Sequence, residues 1–198
     1  MPPEPTEAIE QTDPTPRPRE PLTRERIIET ALHIVDSQGL SRLTMRRLGD
    51  ALEVEAMAIY HHLPRGKEEL LDGLVAHVGI RPARPAGPDG WRPALADWAA
   101  LYRARLTEHA GVLPLLVTRR NPAALSGTAA SVQEVLRAAG FAEEAAGTGA
   151  HALLGYVLGH AALEARGGAR AADPEGAVDW DARFTAGLGI VLAGIAGL

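Results

Sequence analysis

The sequence predicts an all-α protein of two domains. Apolar residues recur at spacings of three and four in one segment after another, no segment shows the period-two alternation of a strand, and glycine or proline stands at the connections. At 198 residues the chain suffices for one large helical domain or two small ones.

The elements follow in order. Residues 1–21 hold seven of the 15 prolines, with Glu, Thr and Asp and no apolar periodicity, so they are expected to form a disordered tail. Order is expected from Leu22. Thr23 can cap a helix that carries Ile28, Ala31, Leu32 and Val35 on one face, and Gly39 is placed to end it. A second, shorter helix after Thr44 would bury Met45, Leu48 and Leu52. A third, over residues 56–63, would bury Ile59 and Leu63. Pro64-Arg65-Gly66 breaks the chain before a fourth helix, from Lys67, which presents Leu70, Leu71, Leu74, Val75 and Val78. Residues 22–80 therefore read as one domain.

Residues 81–90 contain three prolines and two glycines and read as a linker. Residues 91–198 read as a second helical domain. Leu95, Trp98, Tyr102 and Leu106 share a face of residues 91–109, and residues 112–118 form a short apolar segment. Asn121-Pro122 supplies an N-cap followed by proline at the first helical position, opening a helix to about Ala139. A long helix from Glu143 to about Arg166 carries Leu153, Leu154, Val157, Leu158 and Ala161, and residues 167–179 read as a loop. The last helix shows Trp180, Phe184, Leu188, Val191 and Ile195 in a narrow stripe. That stripe, with Leu154 and Leu158, is expected to be left for a four-helix interface across a two-fold axis.

Composition excludes several chemistries. With no cysteine there is no disulfide, thiolate zinc site or cysteine nucleophile. The acidic, Pro-rich start does not read as a signal peptide, and the longest uncharged apolar run, residues 186–198, is too short to span a bilayer. A cytoplasmic location is expected. No carboxylate pair, nucleophile–base constellation or metal-ligand spacing points to an enzyme, and no cofactor or metal is expected. The letters of residues 147–152 match a dinucleotide-binding pattern, but no strand precedes them, so that reading is discarded. His151 and His160, nine apart on one helix, face opposite ways and make no metal pair.

Residues 44–67, TMRRLGDALEVEAMAIYHHLPRGK, carry the chemistry. Two short helices separated by the turn Glu53-Val54-Glu55, backed by the helix before them, fit a helix-turn-helix. The ordered set Ser37-Gln38-Gly39-Leu40, Leu43-Thr44-Met45-Arg46-Arg47-Leu48, Leu52-Glu53-Val54, Ile59-Tyr60-His61-His62-Leu63, Lys67 and Leu70-Leu71 resembles the DNA-binding domain of the tetracycline-repressor family. The second domain is more distantly similar to the ligand-binding and dimerisation domain of the tetracycline repressor's own subgroup, through residues 137–141, 155–159 and 184–188.

The resemblance implies a DNA-binding head joined by a connecting helix to an effector-binding, dimerising domain. It places Arg46 where a base is reached, Arg47 beside it, and Tyr60 and Lys67 where phosphates are held. Thr44 and Glu55 flank the reading helices, and Ala56, Met57 and Ala58 open the recognition helix with little hydrogen-bonding capacity. His61 and His62 share that helix, one expected toward DNA. Two departures stand out: Glu53 fills a turn position usually held by glycine, and Gly49 replaces a usual alanine.

In that subgroup the drug binds as a magnesium chelate. The histidine position falls near Leu116 and the acidic partner near Gly159, so the chelate set is not reproduced. Trp98, Tyr102, Arg105, His109, Leu116, His151 and Tyr156 are the candidate lining for another small-molecule effector, with Phe141 and His160 near them. The expected protein is thus a homodimeric repressor that binds double-stranded DNA at a palindromic operator and is released by an effector. An activator or an effector-independent DNA-binding dimer is the alternative, with a small-molecule carrier or an enzyme further off.

The net charge of −5, read alone, argues against a nucleic-acid partner, and residues 1–80 carry the whole deficit, nine basic side chains against 14 acidic. Position resolves the conflict. The tail alone contributes −3, whereas residues 42–67 hold five basic and three acidic groups. The local field, not the net charge, is what DNA would meet.

Overall fold

Side-chain oxygens start the first two helices. Thr23 Oγ1 accepts from the Arg26 amide and Thr44 Oγ1 from the Arg47 amide, each at 3.1 Å, satisfying donors that a helix start leaves open. A third cap, not anticipated from the sequence, is Asp179, whose Oδ1 accepts from the Ala182 amide at 2.8 Å. The structure, a computed structural model, describes residues 21–83, 88–118, 123–168 and 178–198. Among these residues there are nine α-helices and no strand.

The head consists of α1 (Arg24–Gln38), α2 (Met45–Leu52), α3 (Ala56–His62) and α4 (Lys67–Val78). The second half consists of α5 (Trp91–Glu108), α6 (Leu113–Thr118), α7 (Ala123–Ala138), α8 (Glu143–Gly168) and α9 (Trp180–Ile195). The short apolar segment of residues 112–118 is a 3-10 turn, Ala110–Val112, running into α6. Its apolar side chains Val112, Leu113, Leu115 and Leu116 are all buried, which makes so short a helix worth forming. Residues 1–20, the Asn121-Pro122 start, part of the linker and most of the 167–179 loop lie outside the described residues.

Packing explains the order of elements. α1 backs both α2 and α4, and Ile27, Ala31, Leu48, Ile59, Leu70 and Leu74 meet there without solvent exposure. Each of these leucine and isoleucine side chains contributes about 1.5–3 kcal/mol relative to exposure, and Ala31 less. The C-terminal part of α4 continues into contact with α6 and α7, and α8 lies at the centre of the second half, against α5, α7 and α9. No helix among the described residues is long and apolar enough to cross a membrane.

The expected interface stripe is spent inside the chain. Phe184, Leu188 and Ile195 are buried, as is Leu154, while Leu158, Trp180 and Val191 are half-buried. The rings of Phe184 and Tyr156 stack at 5.6 Å, and Ile195 packs on Gly149. The reason is proximity: α8 offers apolar surface in the same chain, and α9 turns its largest side chains toward it. What α8 and α9 leave outward includes small residues, Ala152, Gly155 and Gly159 with Gly189, Ala193 and Gly194, beside Leu163 and Ile190 at 59% and 75% exposure.

Candidate nucleic-acid interface

The turn between α2 and α3 sets the site. Glu53 adopts φ 56 and ψ 39, the left-handed region in which a side chain costs on the order of 1 kcal/mol. Its amide and that of Val54 close the end of α2, the latter reaching the Gly49 carbonyl at 3.0 Å. The chain then returns so tightly that a Cβ on Gly49 would lie 2.9 Å from the Val54 carbonyl oxygen. Glycine at 49 is therefore a packing requirement, and the strained Glu53 follows from the same tight turn.

This turn orients α3. Ile59 is fully buried, and Met57 on the opposite side is 68% exposed. Tyr60, His61 and His62 are also exposed, Ala56 and Ala58 half-buried. Glu55, the N-cap of α3, is exposed and makes no side-chain capping bond. Thr44, Arg46 and Arg47 are exposed on α2 and its cap, and Lys67 is exposed at the first turn of α4. The Tyr60 ring lies over Gly66, which brings the end of α3 against the start of α4. All eleven head residues singled out in the sequence thus fall on α2, α3, their flanking caps or the first turn of α4.

Sequence reasoning passed over Ser41 and Arg42. They share a surface groove with Thr44, Arg46, Arg47 and Asp50 along the outer side of α2. The signal was present, since Arg42 precedes Thr44 by two residues, but a position ahead of a helix gives no periodicity to read. Arg42, Arg46, Arg47 and Lys67 have no carboxylate paired with them among the described residues. Two acidic groups of α4, Glu69 and Asp72, are engaged elsewhere. Arg65 bonds Asp72 at 3.2 Å, its amide donates to Glu69 at 3.3 Å, and Glu69 also lies 3.8 Å from Arg24. The exposed face therefore keeps its cations for an external polyanion.

The residues expected around an effector have other partners. Trp98 and Tyr102 stack at 5.3 Å in the core, and Trp98 Nε1 donates to the Ile80 carbonyl at 2.9 Å. Arg105 donates to the His77 carbonyl through Nη2 at 3.0 Å and Nε at 3.3 Å. His109 Nδ1 lies 2.8 Å from Asp36 Oδ2. Tyr156 donates to the Phe184 carbonyl at 2.7 Å, and Leu116 is buried in α6. His151 is exposed on α8 near Glu144 and Thr148, whereas His160 is buried and bonded to the Trp180 carbonyl at 3.2 Å. Phe141 packs edge-on against Trp91 at 5.3 Å. Trp98, Arg105 and His109 are thus junction residues between the two halves.

A helix-turn-helix whose first helix and flanking turns expose cations unpaired among the described residues, beside an exposed second helix, defines a DNA-binding regulator of transcription. Residues 27–74 match the family described as "Bacterial regulatory proteins, tetR family". A regulator described as an HTH-type transcriptional regulator of Saccharopolyspora erythraea is 30% identical over 203 residues, covering 88% of this chain and 85% of the relative. The chain belongs to the tetR family. It is also 33% identical over 152 residues to the HTH-type transcriptional repressor DrrR1 of Streptomyces coeruleorubidus, covering 75% of this chain. The match spans 56% of that repressor's length. Among solved structures, ActR of Streptomyces coelicolor in complex with (S)-DNPA is 27% identical with a TM-score of 0.70, covering 90% of this chain and 99% of ActR. BioQ with its double-stranded DNA operator is 26% identical with a TM-score of 0.65, covering 90% of this chain and all of the BioQ chain.

Proposed function

We propose that the protein is a cytoplasmic, homodimeric transcriptional repressor that binds a palindromic operator and is released by a small-molecule effector, without a catalytic step. The observation that carries the reading is the set Arg42, Arg46, Arg47 and Lys67, unpaired among the described residues, around an exposed α3. Relatives supply the rest: DrrR1 is a repressor by name, BioQ holds its operator, and ActR holds a small molecule. Two reading heads on one two-fold axis would meet two half-sites. An effector releases DNA only by favouring the arrangement in which those heads are misplaced.

The outward face of α8 and α9 supports the dimer. At Gly155, Gly159, Gly189 and Gly194 a Cβ would meet nothing within 4 Å, so packing inside the chain does not require glycine there. Small residues on that face would let helices of a second copy approach closely.

The test is binding by the purified full chain to duplexes selected from a random library. A discrete, salt-sensitive complex on a palindrome is expected. Arg46→Ala should reduce selected-site affinity about tenfold or more while sparing random DNA. Lys67→Ala should weaken both alike and lower the salt slope by about one. Equal effects of the two substitutions on both DNAs would remove the distinction between reading and positioning, and non-specific binding alone would overturn the proposal.

A further inference from the structure

Besides the packing of α4 on α6 and α7, side chains on one face of α5 and just beyond it bond the head to the second half at two separate places. Trp98, Arg105 and His109 are seven and four apart, so they line up along that helix. Trp98 and Arg105 hold the end of α4, through the carbonyls of Ile80 and His77. His109 instead holds the end of α1, through Asp36 at 2.8 Å. The α1 contact is tight: a Cβ on Gly111 would lie 2.7 Å from Val35 Cγ1 and 2.9 Å from the Val35 carbonyl oxygen.

The two ties do different work. A rigid head held only through α4 keeps one freedom, rotation about that helix. A second attachment at α1, off the α4 axis, removes it. The Asp36–His109 bond is suited to the task, because the His109 side chain is largely shielded, at 13% exposure, and reaches the Asp36 carboxylate at the surface end of α1. Glu108, 3.8 Å from Nε2, flanks the ring on its other side.

We infer that Asp36 and His109 form a latch that fixes the orientation of the reading head, and thereby the half-site spacing the protein accepts, without touching DNA. The inference rests on the dimeric, palindrome-binding reading above. It makes His109 a positioning residue and assigns Asp36, which lies outside the helix-turn-helix, a part in specificity.

The experiment measures binding of the full chain to the palindrome selected by the wild-type protein and to the same palindrome with one or two base pairs added to or removed from its centre. The wild type is expected to lose about tenfold or more at each altered spacing. Asp36→Asn and His109→Leu are expected to flatten that profile to within about threefold while leaving binding to a single half-site within about twofold. The reversed pair D36H/H109D is expected to restore the profile. Thermal melts of each variant verify that it is folded, and Asp36→Asn, close to isosteric, covers a His109 variant that fails. A sharp profile unchanged in both single variants overturns the latch. A wild type indifferent to spacing overturns the dimeric reading itself, and the latch with it.

Discussion

The ring of Tyr60 lies across the backbone of Gly66, close enough that a Cβ on that glycine would sit 2.7 Å from Tyr60 Cε1. The contact joins the end of α3 to the start of α4, where Tyr60 and Lys67 both reach the surface. Gly66 has φ 57 and ψ −129, a conformation open to glycine and closed to other residues. Backbone and packing therefore demand the same residue for independent reasons.

Gly66→Ala should accordingly lose about 1–3 kcal/mol of stability. It should also displace Tyr60 and weaken binding to all DNA sequences alike, since the phosphate contact that the family resemblance implies for Tyr60 would carry no sequence information. Urea denaturation and fluorescence anisotropy on selected and random duplexes check both parts. Wild-type stability would show that neither the backbone conformation nor the ring contact excludes a side chain at position 66.

Gly49 and Glu53 give opposite expectations from rules that ignore the fold. Alanine in a helix is worth about 1 kcal/mol over glycine, so Gly49→Ala looks stabilising. The Val54 carbonyl, 2.9 Å from the added Cβ, is backbone and cannot turn aside. The turn would have to open, so a net loss of about 1–2 kcal/mol is expected, with weaker DNA binding. Glu53→Gly relieves the left-handed strain and should gain about 0.5–1 kcal/mol with DNA binding unchanged. Thermal melts of the two variants should shift in opposite directions.

The head was legible in the sequence because each of its elements has a local cause. Thr23 and Thr44 cap, apolar residues repeat every three or four positions, and Pro64-Arg65-Gly66 interrupts. The second half was legible as helices but not as a site. Trp98, Arg105 and His109 look like pocket residues by type, yet their partners are carbonyls of residues 77 and 80 and the Asp36 carboxylate, up to 73 positions away. The α9 stripe failed for a related reason. Amphipathicity tells which face of a helix is buried but not against what, and α8 of the same chain takes it.

Tyr102 makes stability depend on alkaline pH. Burial pushes its phenol up from 10.0 to about 12, because the phenolate loses its solvent in the core. In the unfolded chain the group ionises near 10, so only the unfolded state releases the proton between the two values. The stabilisation is fully present below pH 10 and disappears as pH rises toward 12, by about 2–3 kcal/mol. Tyr102→Phe should leave neutral-pH stability within about 1 kcal/mol and remove this component of the alkaline loss. Denaturant midpoints from pH 8 to 12 in about half-unit steps separate the two proteins, and parallel curves would show that Tyr102 is not the titrating group.

Arg103 fastens α9 to the body of the second half, and its value can be set against an exposed pair in the same chain. Its guanidinium grips Glu164 with two bonds of 2.7 Å, reaches Asp181 at 2.6 Å and lies 4.9 Å from the centre of the Phe184 ring. The hydrogen bond to Glu164 raises its pKa further above the ordinary value, outweighing the opposing effect of burial. With 14% of the Arg103 side chain and 21% of Glu164 exposed, little of that pair is screened, whereas Asp181, at 89% exposure, adds little. Arg103→Ala should cost about 2–3 kcal/mol and strand Glu164 without its cation. Arg103→Lys should recover a fraction only, because an ammonium cannot reproduce the fork or lie flat on the ring. Arg137→Ala is the control. Its bond to Glu143 is 2.9 Å long, but the side chains are 56% and 67% exposed, so the loss should stay within about 0.5 kcal/mol. Sedimentation of the Arg103 variants adds a second readout, since loosening the start of α9 should weaken self-association through its outward small-residue face. Equal losses at Arg103 and Arg137 would mean that burial, and not merely the number of bonds, had been overvalued at α9.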